Sequence, residues 1–452
     1  MLGRSRRRSD RWSNRNPTVG TWRAPAGPAR LARRDMLDYG FATFASKADL
    51  LDRAAAAWNP DKTRFWQRAG VDLVIDRREG YRLWDVDGRE LIDVHLNGGT
   101  YNLGHRHPEL VAALVEGTER FDVGNHHFPS IARIALAEAL LDTAGPGMAS
   151  VVFGAAGGEA VDVAIKTARH TTGRRRIVSI VKGYHGHTGL AVCTGDERFS
   201  RPFLAERPDE FVHVPFNDVE AMAAALAPGD VAAVLLETIP ATYGFPLPLP
   251  GYLAAVKALC EEHGTLYIAD EVQTGLMRTG ELWGIHKAGV QPDMIVAAKG
   301  LGGGLYPLSA VILSEPCARW LSEDGFAHMS TVAGAELGCV VGLKALEITT
   351  RPEVRAGVER ASARFADGLG AIRERHGGWL TGVRQDGLVM GLELAAPDGA
   401  RDLMRALYER GVWAIFSTLD PSVLQFKPGL LVDDALVDEI LDRLEAAVEA
   451  TA

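Results

Sequence analysis

Short apolar runs recur through the middle of the chain, and amphipathic stretches of helical length separate them. SVVF (150–153), RIVSIV (176–181), VAAVLLE (231–237), LYIADEV (266–272) and MIVAA (294–298) are the clearest. Short uninterrupted apolar runs between helices read as strands buried on both faces. Their alternation predicts βαβ units and a mainly parallel sheet covered by helices on both sides. Upstream, a helix-like stretch from Leu50 gives way to LVIDRREGYRLWDVDGRELIDV (73–94), where two strand-like runs flank Asp87-Gly88, a pair suited to a hairpin turn. A helical pattern, ELVAALVEGTERF, follows LGHRHP (103–108). Beyond residue 340 a helix (CVVGLKALEI) and a closing helix (DALVDEILDRLEAAVEA) bracket strand candidates LVMGLEL and VLQFK.

The expected fold is therefore α/β. Residues 106–335 form a large domain, residues 36–105 and 336–452 together form a smaller α+β domain, and residues 1–35 are a tail. The 452 residues are too many for one ordinary core, in keeping with two domains.

Charge separates the tail from the rest. Residues 1–35 carry ten arginines against Asp10 and Asp35, about +8, so with −9 for the whole chain the remainder is about −17. Such a body repels nucleic acid and favours cationic substrates. The tail, rich in Pro and Gly and without apolar periodicity, reads as disordered. A nucleic-acid arm, an export signal and a start at Met36 are the other readings, and no apolar segment of an export signal follows the arginines. No run approaches the roughly 18 apolar residues of a membrane span. Cys193, Cys260, Cys317 and Cys339 are scattered, which argues against a disulfide framework or a metal site and fits a reducing cytoplasm.

Four patches carry candidate chemistry. In FGAAGGEAVDVAIKTAR (153–169) a strand ends in small residues and a helix opens after Gly157-Gly158, which exposes backbone N–H groups that suit a phosphate; a tight turn would also need the glycines. Tyr184-His185-Gly186 follows the next strand, and a ring there stacks on a flat cofactor or simply packs at the strand end. YIADEVQTG (267–275) sets Asp270 and Glu271 at the end of an apolar strand, where ligands of open α/β sheets bind. A carboxylate there needs a partner, such as a protonated pyridine nitrogen, or else it caps the next turn. DMIVAAKGLGGGLYPLSA puts Lys299 after an apolar strand and before four glycines in five residues. Desolvation disfavours the charged amine and frees it for imine formation.

In this order the patches resemble the class III aminotransferases, the subgroup of fold-type I pyridoxal-phosphate enzymes that includes ornithine and 4-aminobutyrate aminotransferases. The resemblance runs from about residue 70 to the C-terminus and rests on LGHRHP, GGEAVDVAIKTAR, YHG, DEVQTG with MRTG, and AKGLGGGLYPL. It implies pyridoxal 5′-phosphate as cofactor, with Lys299 as the Schiff-base lysine and proton shuttle and Asp270 as partner of the pyridinium nitrogen. It further implies Gln273 near the ring's phenolic oxygen, Val272 beneath the ring, Tyr184 stacked on its other face, and Gly157 and Gly158 around the phosphate. Thr331, in HMSTVAG, matches a threonine that reaches the neighbouring subunit's phosphate, which implies a homodimer with shared active sites.

The chain departs from the family in three places. The usual Ser-Gly-Thr type turn is Ala156-Gly157-Gly158, without hydroxyl donors. EPIQGEGG reads ETIPATYG (237–244), with Thr242 where a glutamate is common. In LQFKPGL, Gln425 stands where an arginine grips the substrate α-carboxylate, and Lys427 follows two residues on. Glutamine offers no charged fork. Lys427 either partly replaces the arginine from the same strand face or ends the strand in solvent.

The missing arginine and the acidic body predict an aminotransferase for an amino sugar, an aminoglycoside or another amine without the usual α-carboxylate. Its partners would be small amines and carbonyl compounds, not nucleic acid or membrane. A phospho-lyase or aminomutase on the same scaffold is the alternative. A non-catalytic cofactor-binding protein would have no need of Lys299, Asp270 and Gln273 together.

Overall fold

The computed structural model describes Leu37–Asp38 and residues 43–452. The basic tail, read as disordered, and the alternative start at Met36 lie outside the described residues. In chain order the strands are β1 (Leu37–Asp38), β2 (Thr43–Phe44), β3 (Ile75–Glu79), β4 (Arg82–Asp85), β5 (Glu90–Asp93), β6 (Met148–Gly154), β7 (Arg176–Ile180), β8 (Phe211–Val214), β9 (Val231–Glu237), β10 (Leu266–Asp270), β11 (Met294–Ala297), β12 (Ser309–Ser314), β13 (Leu380–Asp386), β14 (Val389–Leu394), β15 (Val412–Trp413), β16 (Ile415–Ser417) and β17 (Asp420–Phe426).

Seven strands form the large sheet in the order β6-β12-β11-β10-β9-β7-β8. β12 alone in this sheet runs antiparallel to its neighbours, β11 and β6. All seven residues of β9 are buried, and its apolar residues divide between two cores. Val234 and Leu236 pack with Tyr252 and Trp283 on one face, while Ala233 and Leu235 pack with Val161 and Ile165 on the other. That double covering explains why the central strands read as unbroken apolar runs. The helix Gly157–Thr172 is closed by Gly173 at φ 66, a left-handed cap that glycine adopts at least cost.

The two ends of the described chain meet in one sheet. β15 pairs in parallel with β5 (Val412↔Ile92), and β4 and β3 extend the sheet beyond β5. A separate antiparallel sheet runs β13-β14-β17-β16. A third core, with Leu91, Ile92, Phe365, Leu403, Leu424, Phe426 and Leu444, holds these sheets against the helices Pro352–His376, Gly399–Glu409 and Asp434–Glu449.

The expected strands at 150–153, 176–181, 231–237, 266–272 and 294–298 all occur, with slightly shifted ends. Three readings need correction. Residues 73–94 make three strands, because the chain also reverses between Glu79 and Arg82, where Gly80 (φ 55) bridges to His105. The edge strand β8 and the antiparallel β12 were not anticipated, nor was the helix Pro352–His376, whose charged positions dilute its apolar stripe. Among the described residues no helix is long and apolar enough to cross a membrane.

Candidate active site

The parallel strands β6, β7, β9, β10 and β11 end on one side of the large sheet, and the segments leaving them surround a cavity of about 520 Å³. Its lining includes Gly157, Gly158, Tyr184, Asp270, Val272, Gln273 and Lys299, which brings together seven of the residues singled out in the sequence. Strand ends supply such sites because the backbone turns away there and leaves a crevice.

Asp270 closes β10 and is 4% exposed. Its Oδ2 lies 2.7 Å from His185 Nδ1, and its Oδ1 accepts the Val272 N–H at 3.1 Å. Burial pulls the His185 pKa down, but the hydrogen bond and charge of Asp270 outweigh it and the net shift is upward. His185 is thus the protein partner of the Asp270 carboxylate. The YHG motif by itself gives His185 no task; the signal for one is the demand of a buried acid for a counter-charge.

Glu237 is the cross-strand neighbour of Asp270. It also lines the cavity and accepts the N–H groups of Tyr184 and Ala241, both at 3.0 Å. Burial is the main cause that pushes its carboxyl up to about 7, with His185 opposing and Asp270 reinforcing the shift. The adjacent Glu271 does something else. It accepts the Gly284 N–H at 2.7 Å and the Ile285 N–H at 2.9 Å, together with the Thr238 hydroxyl, so it braces a loop.

Lys299 follows β11 with φ 48, a left-handed conformation that a side-chain-bearing residue rarely takes. Burial lowers its pKa, and Asp270 and Glu237 only partly offset this. Residues 95–99 lie close over it: a Cβ added at Gly98 would sit 3.3 Å from Lys299 Cε and 3.8 Å from Gln273 Oε1. Gln273 Oε1 is buried and has no hydrogen-bond partner among the described residues.

These features fit pyridoxal 5′-phosphate. The first N–H groups of the helix Gly157–Thr172 have no intrahelical acceptors and face the cavity, with no side-chain cap from Ala156. A Cβ at Gly158 would come within 2.7 Å of Thr188 Oγ1, so a side chain there would need Thr188 to turn away. The orphaned Gln273 oxygen, the Asp270 carboxylate and the Lys299 amine border the same space.

The substrate candidates sit elsewhere. Gln425 is 5% and Lys427 2% exposed, and neither lines this cavity. The solvent-exposed reading of Lys427 is therefore wrong. Its Nζ donates to Gln425 Oε1 at 2.5 Å and lies 5.3 Å from the Phe245 ring centre, while Gln425 Nε2 donates to the Ala241 carbonyl at 3.1 Å. Burial, then the charges of Lys299 and Arg278, hold the Lys427 pKa well below that of an ordinary lysine. Thr331 is exposed and outside the cavity of its own chain. No metal-capable grouping lines the cavity either; the grouping found among the described residues is His376, Glu445 and Glu449 on the C-terminal helices.

Arg278, from the MRTG motif, is fully buried, has no carboxylate partner among the described residues, and its pKa is pushed down to about 10 by burial. It donates to the carbonyl of Pro428, to Asn102 Oδ1 and, at 3.4 Å, to the carbonyl of Leu388. It thus ties together segments that the sequence places far apart.

A buried amine, an acid with its own histidine, an orphaned amide oxygen and a phosphate cradle at strand ends define a pyridoxal-phosphate site on a fold-type I scaffold. Residues 66–448 match the model of the family Aminotransferase class-III, and the chain belongs to that family. It is 45% identical over 410 residues to an uncharacterized aminotransferase of Archaeoglobus fulgidus, covering 91% of this chain and 96% of that one. It is 35% identical over 380 residues to the acetylornithine aminotransferase of Pseudomonas putida, covering 82% and 91%. Among solved structures, ornithine aminotransferase from Toxoplasma gondii superposes with a TM-score of 0.82 at 26% identity, over 90% of this chain and 95% of that one. N-acetylornithine aminotransferase from Stenotrophomonas maltophilia gives 0.73 at 31% identity, over 86% and 98%. Class III aminotransferases use pyridoxal phosphate, and this chain is an enzyme of that kind.

Proposed function

We propose that the chain moves an amino group between a primary amine and an aldehyde or ketone, with Lys299 as the base and acid at the reacting carbon. The observation that carries this is a cavity-facing lysine whose burial favours the neutral amine, with Asp270 and its His185 partner at the same cavity. When bound, the cofactor supplies an electron sink for the carbon that loses its proton. Asp270 would hold a proton on the ring nitrogen, Gln273 would meet the ring's oxygen, and Tyr184 and Val272 would enclose the ring. Gly157 and Gly158 would bind the phosphate through backbone N–H groups. Lys299 alone among these moves a proton, which requires it to be neutral when it acts.

For the substrate we propose an amine without an α-carboxylate, and a neutral amino sugar rather than a polyamine. Both ends of the Gln425 amide are occupied, by Lys427 and by the Ala241 carbonyl, so no fork is free for a carboxylate. The Arg278 guanidinium, which stays charged near neutral pH, disfavours a second cation beside the site. Elimination from an amino-alcohol phosphate is the second reading, favoured by one observation: Lys427 is a buried amine with no carboxylate bonded to it, which a phosphate would suit.

A homodimer completes this reading. Exposed apolar residues Phe326, Met329 and Val332 flank Thr331, and Arg133 ties this segment, through the Gly334 carbonyl, to the stretch bearing exposed Phe128 and Ile131. Apolar exposure on that scale marks an interface, and Thr331 would reach the phosphate bound by the partner.

Single-turnover absorbance of the holoenzyme decides among these. Loss of the cofactor's visible band with an amino sugar but not with L-glutamate is the expected outcome. Conversion by glutamate would overturn the substrate assignment. Phosphate released from an amino-alcohol phosphate, without any acceptor, would favour elimination.

A further inference from the structure

On the far side of the segment that covers Lys299 lies a second cavity, of about 560 Å³. That is within the roughly 300–1,000 Å³ usual for small-ligand sites. Trp66, from the second helix of the described chain, and Trp413 of β15 give it aromatic walls, and Trp58, itself 70% exposed, lines it as well. His105 lines it and is 3% exposed. Its Nε2 is engaged by Asp93 at 2.9 Å, and its Nδ1 has no partner among the described residues. With Nε2–H given to the carboxylate, Nδ1 is an acceptor awaiting a donor. Half-buried Arg78 and exposed Lys62 also line the cavity, and neither makes an ion pair among the described residues.

The wall shared with the active site is the segment from His95 to Tyr101. His95, Asn97 and Tyr101 face the second cavity and Thr100 the first, while Gly98 packs on Lys299. Leu96 (φ 52) and Asn97 (φ 49) are held in the left-handed region, where side-chain-bearing residues are strained. Strain of this kind is held only by the packing around it, so filling either cavity bears on the position of the same segment.

We propose that the second cavity binds a small aryl carboxylate that carries a hydrogen-bond donor, and that its occupancy sets the position of residues 95–101 over Lys299. The ring packs among the three tryptophans, the donor meets His105 Nδ1, and the carboxylate meets Arg78 and Lys62. Binding stands apart from the function proposed above, whereas the coupling rests on Lys299 holding the cofactor.

The test is calorimetric titration of the full-length holoenzyme with indole-3-acetate, which combines an aromatic body, an N–H donor and a carboxylate. Saturable binding at one site per chain is expected. It should weaken about tenfold in Arg78→Gln, which removes a charge-assisted contact, and vanish in Ala54→Trp, which fills the cavity; both variants should keep the cofactor's visible band. No saturable binding, or unchanged affinity in both variants, overturns the site. Affinity that falls as protein concentration rises would mean that a second copy fills the cleft, and also overturns it. At saturation the pH midpoint of the visible band should shift in the wild type and not in Ala54→Trp; an unmoved midpoint overturns the coupling.

Discussion

The two halves of the active-site region are assembled in different ways. The cofactor half uses the ends of strands of one sheet, each with its candidate residue on it or within four residues of it: Gly157 after β6, Tyr184 after β7, Asp270 on β10 and Lys299 after β11. The other half, proposed above to face the substrate, gathers Asn102, Arg278, Leu388, Gln425, Lys427 and Pro428 from distant parts of the chain, and Arg278 bonds several of them together. The first half is a local product of strand register. The second depends on tertiary docking, and damage to each should read out differently.

The largest effect belongs to the cofactor half. Lys299→Ala should lose about 10²–10⁴-fold in kcat, the range of a positioned proton carrier, with little change in Tm and with cofactor still bindable. Near-wild-type turnover would remove Lys299 from the chemistry.

Arg278→Met tests the other half. It strands the Pro428 carbonyl and Asn102 Oδ1 as buried acceptors without a donor, at a net cost of about 1–3 kcal/mol. The relief of burying an unpaired charge offsets part of that. Thermal melts should show a lower Tm, and kinetics should show KM rising more than kcat falls. An unchanged Tm with lost kcat would make Arg278 part of the chemistry and dissolve the contrast between the halves.

Glu237 sits between the two, since it bonds Tyr184 on one side and Ala241 on the other. Its folded pKa, about 7, is above the ordinary glutamate value of 4.5. The folded state then holds more protons than the unfolded state within that window, so the carboxyl's contribution to stability is fully present below about pH 4.5 and is lost as pH rises through about 7. Measured by denaturation against pH, the stability of wild type relative to Glu237→Gln should fall across that interval and level off above it. A pH-independent difference would mean that Glu237 does not titrate there.

The smallest effect expected is a gain. Ala156→Ser restores a hydroxyl at the cap of the phosphate-facing helix, where no side-chain cap now exists. Cofactor dissociation should slow by about two- to tenfold, the worth of one added hydrogen bond. Slower release without altered substrate preference would sharpen the separation of the halves.

The same contrast governs what could be read from the chain. Lys299, Asp270, Gln273 and the glycine pair were legible because a buried strand with helices on both faces writes an unbroken apolar run, and the residue ending that run is marked by position alone. Glu271 shows the limit, since adjacent acids at one strand end have unlike tasks that only their hydrogen-bond partners separate. β8 and β12 stayed hidden because an edge strand and an antiparallel insertion carry no βαβ rhythm.

By itself, then, the sequence determined five strands of the large sheet and the family, and it marked the residues proposed for the cofactor, all of which follow from local pattern. Tertiary structure alone decided that His185 answers Asp270, that Lys427 is buried against Gln425, that Arg278 clasps the substrate side, and that a second cavity backs the segment over Lys299. These depend on which side chains leave water together. Burial and partnership are properties of the packed chain, and no local pattern encodes them.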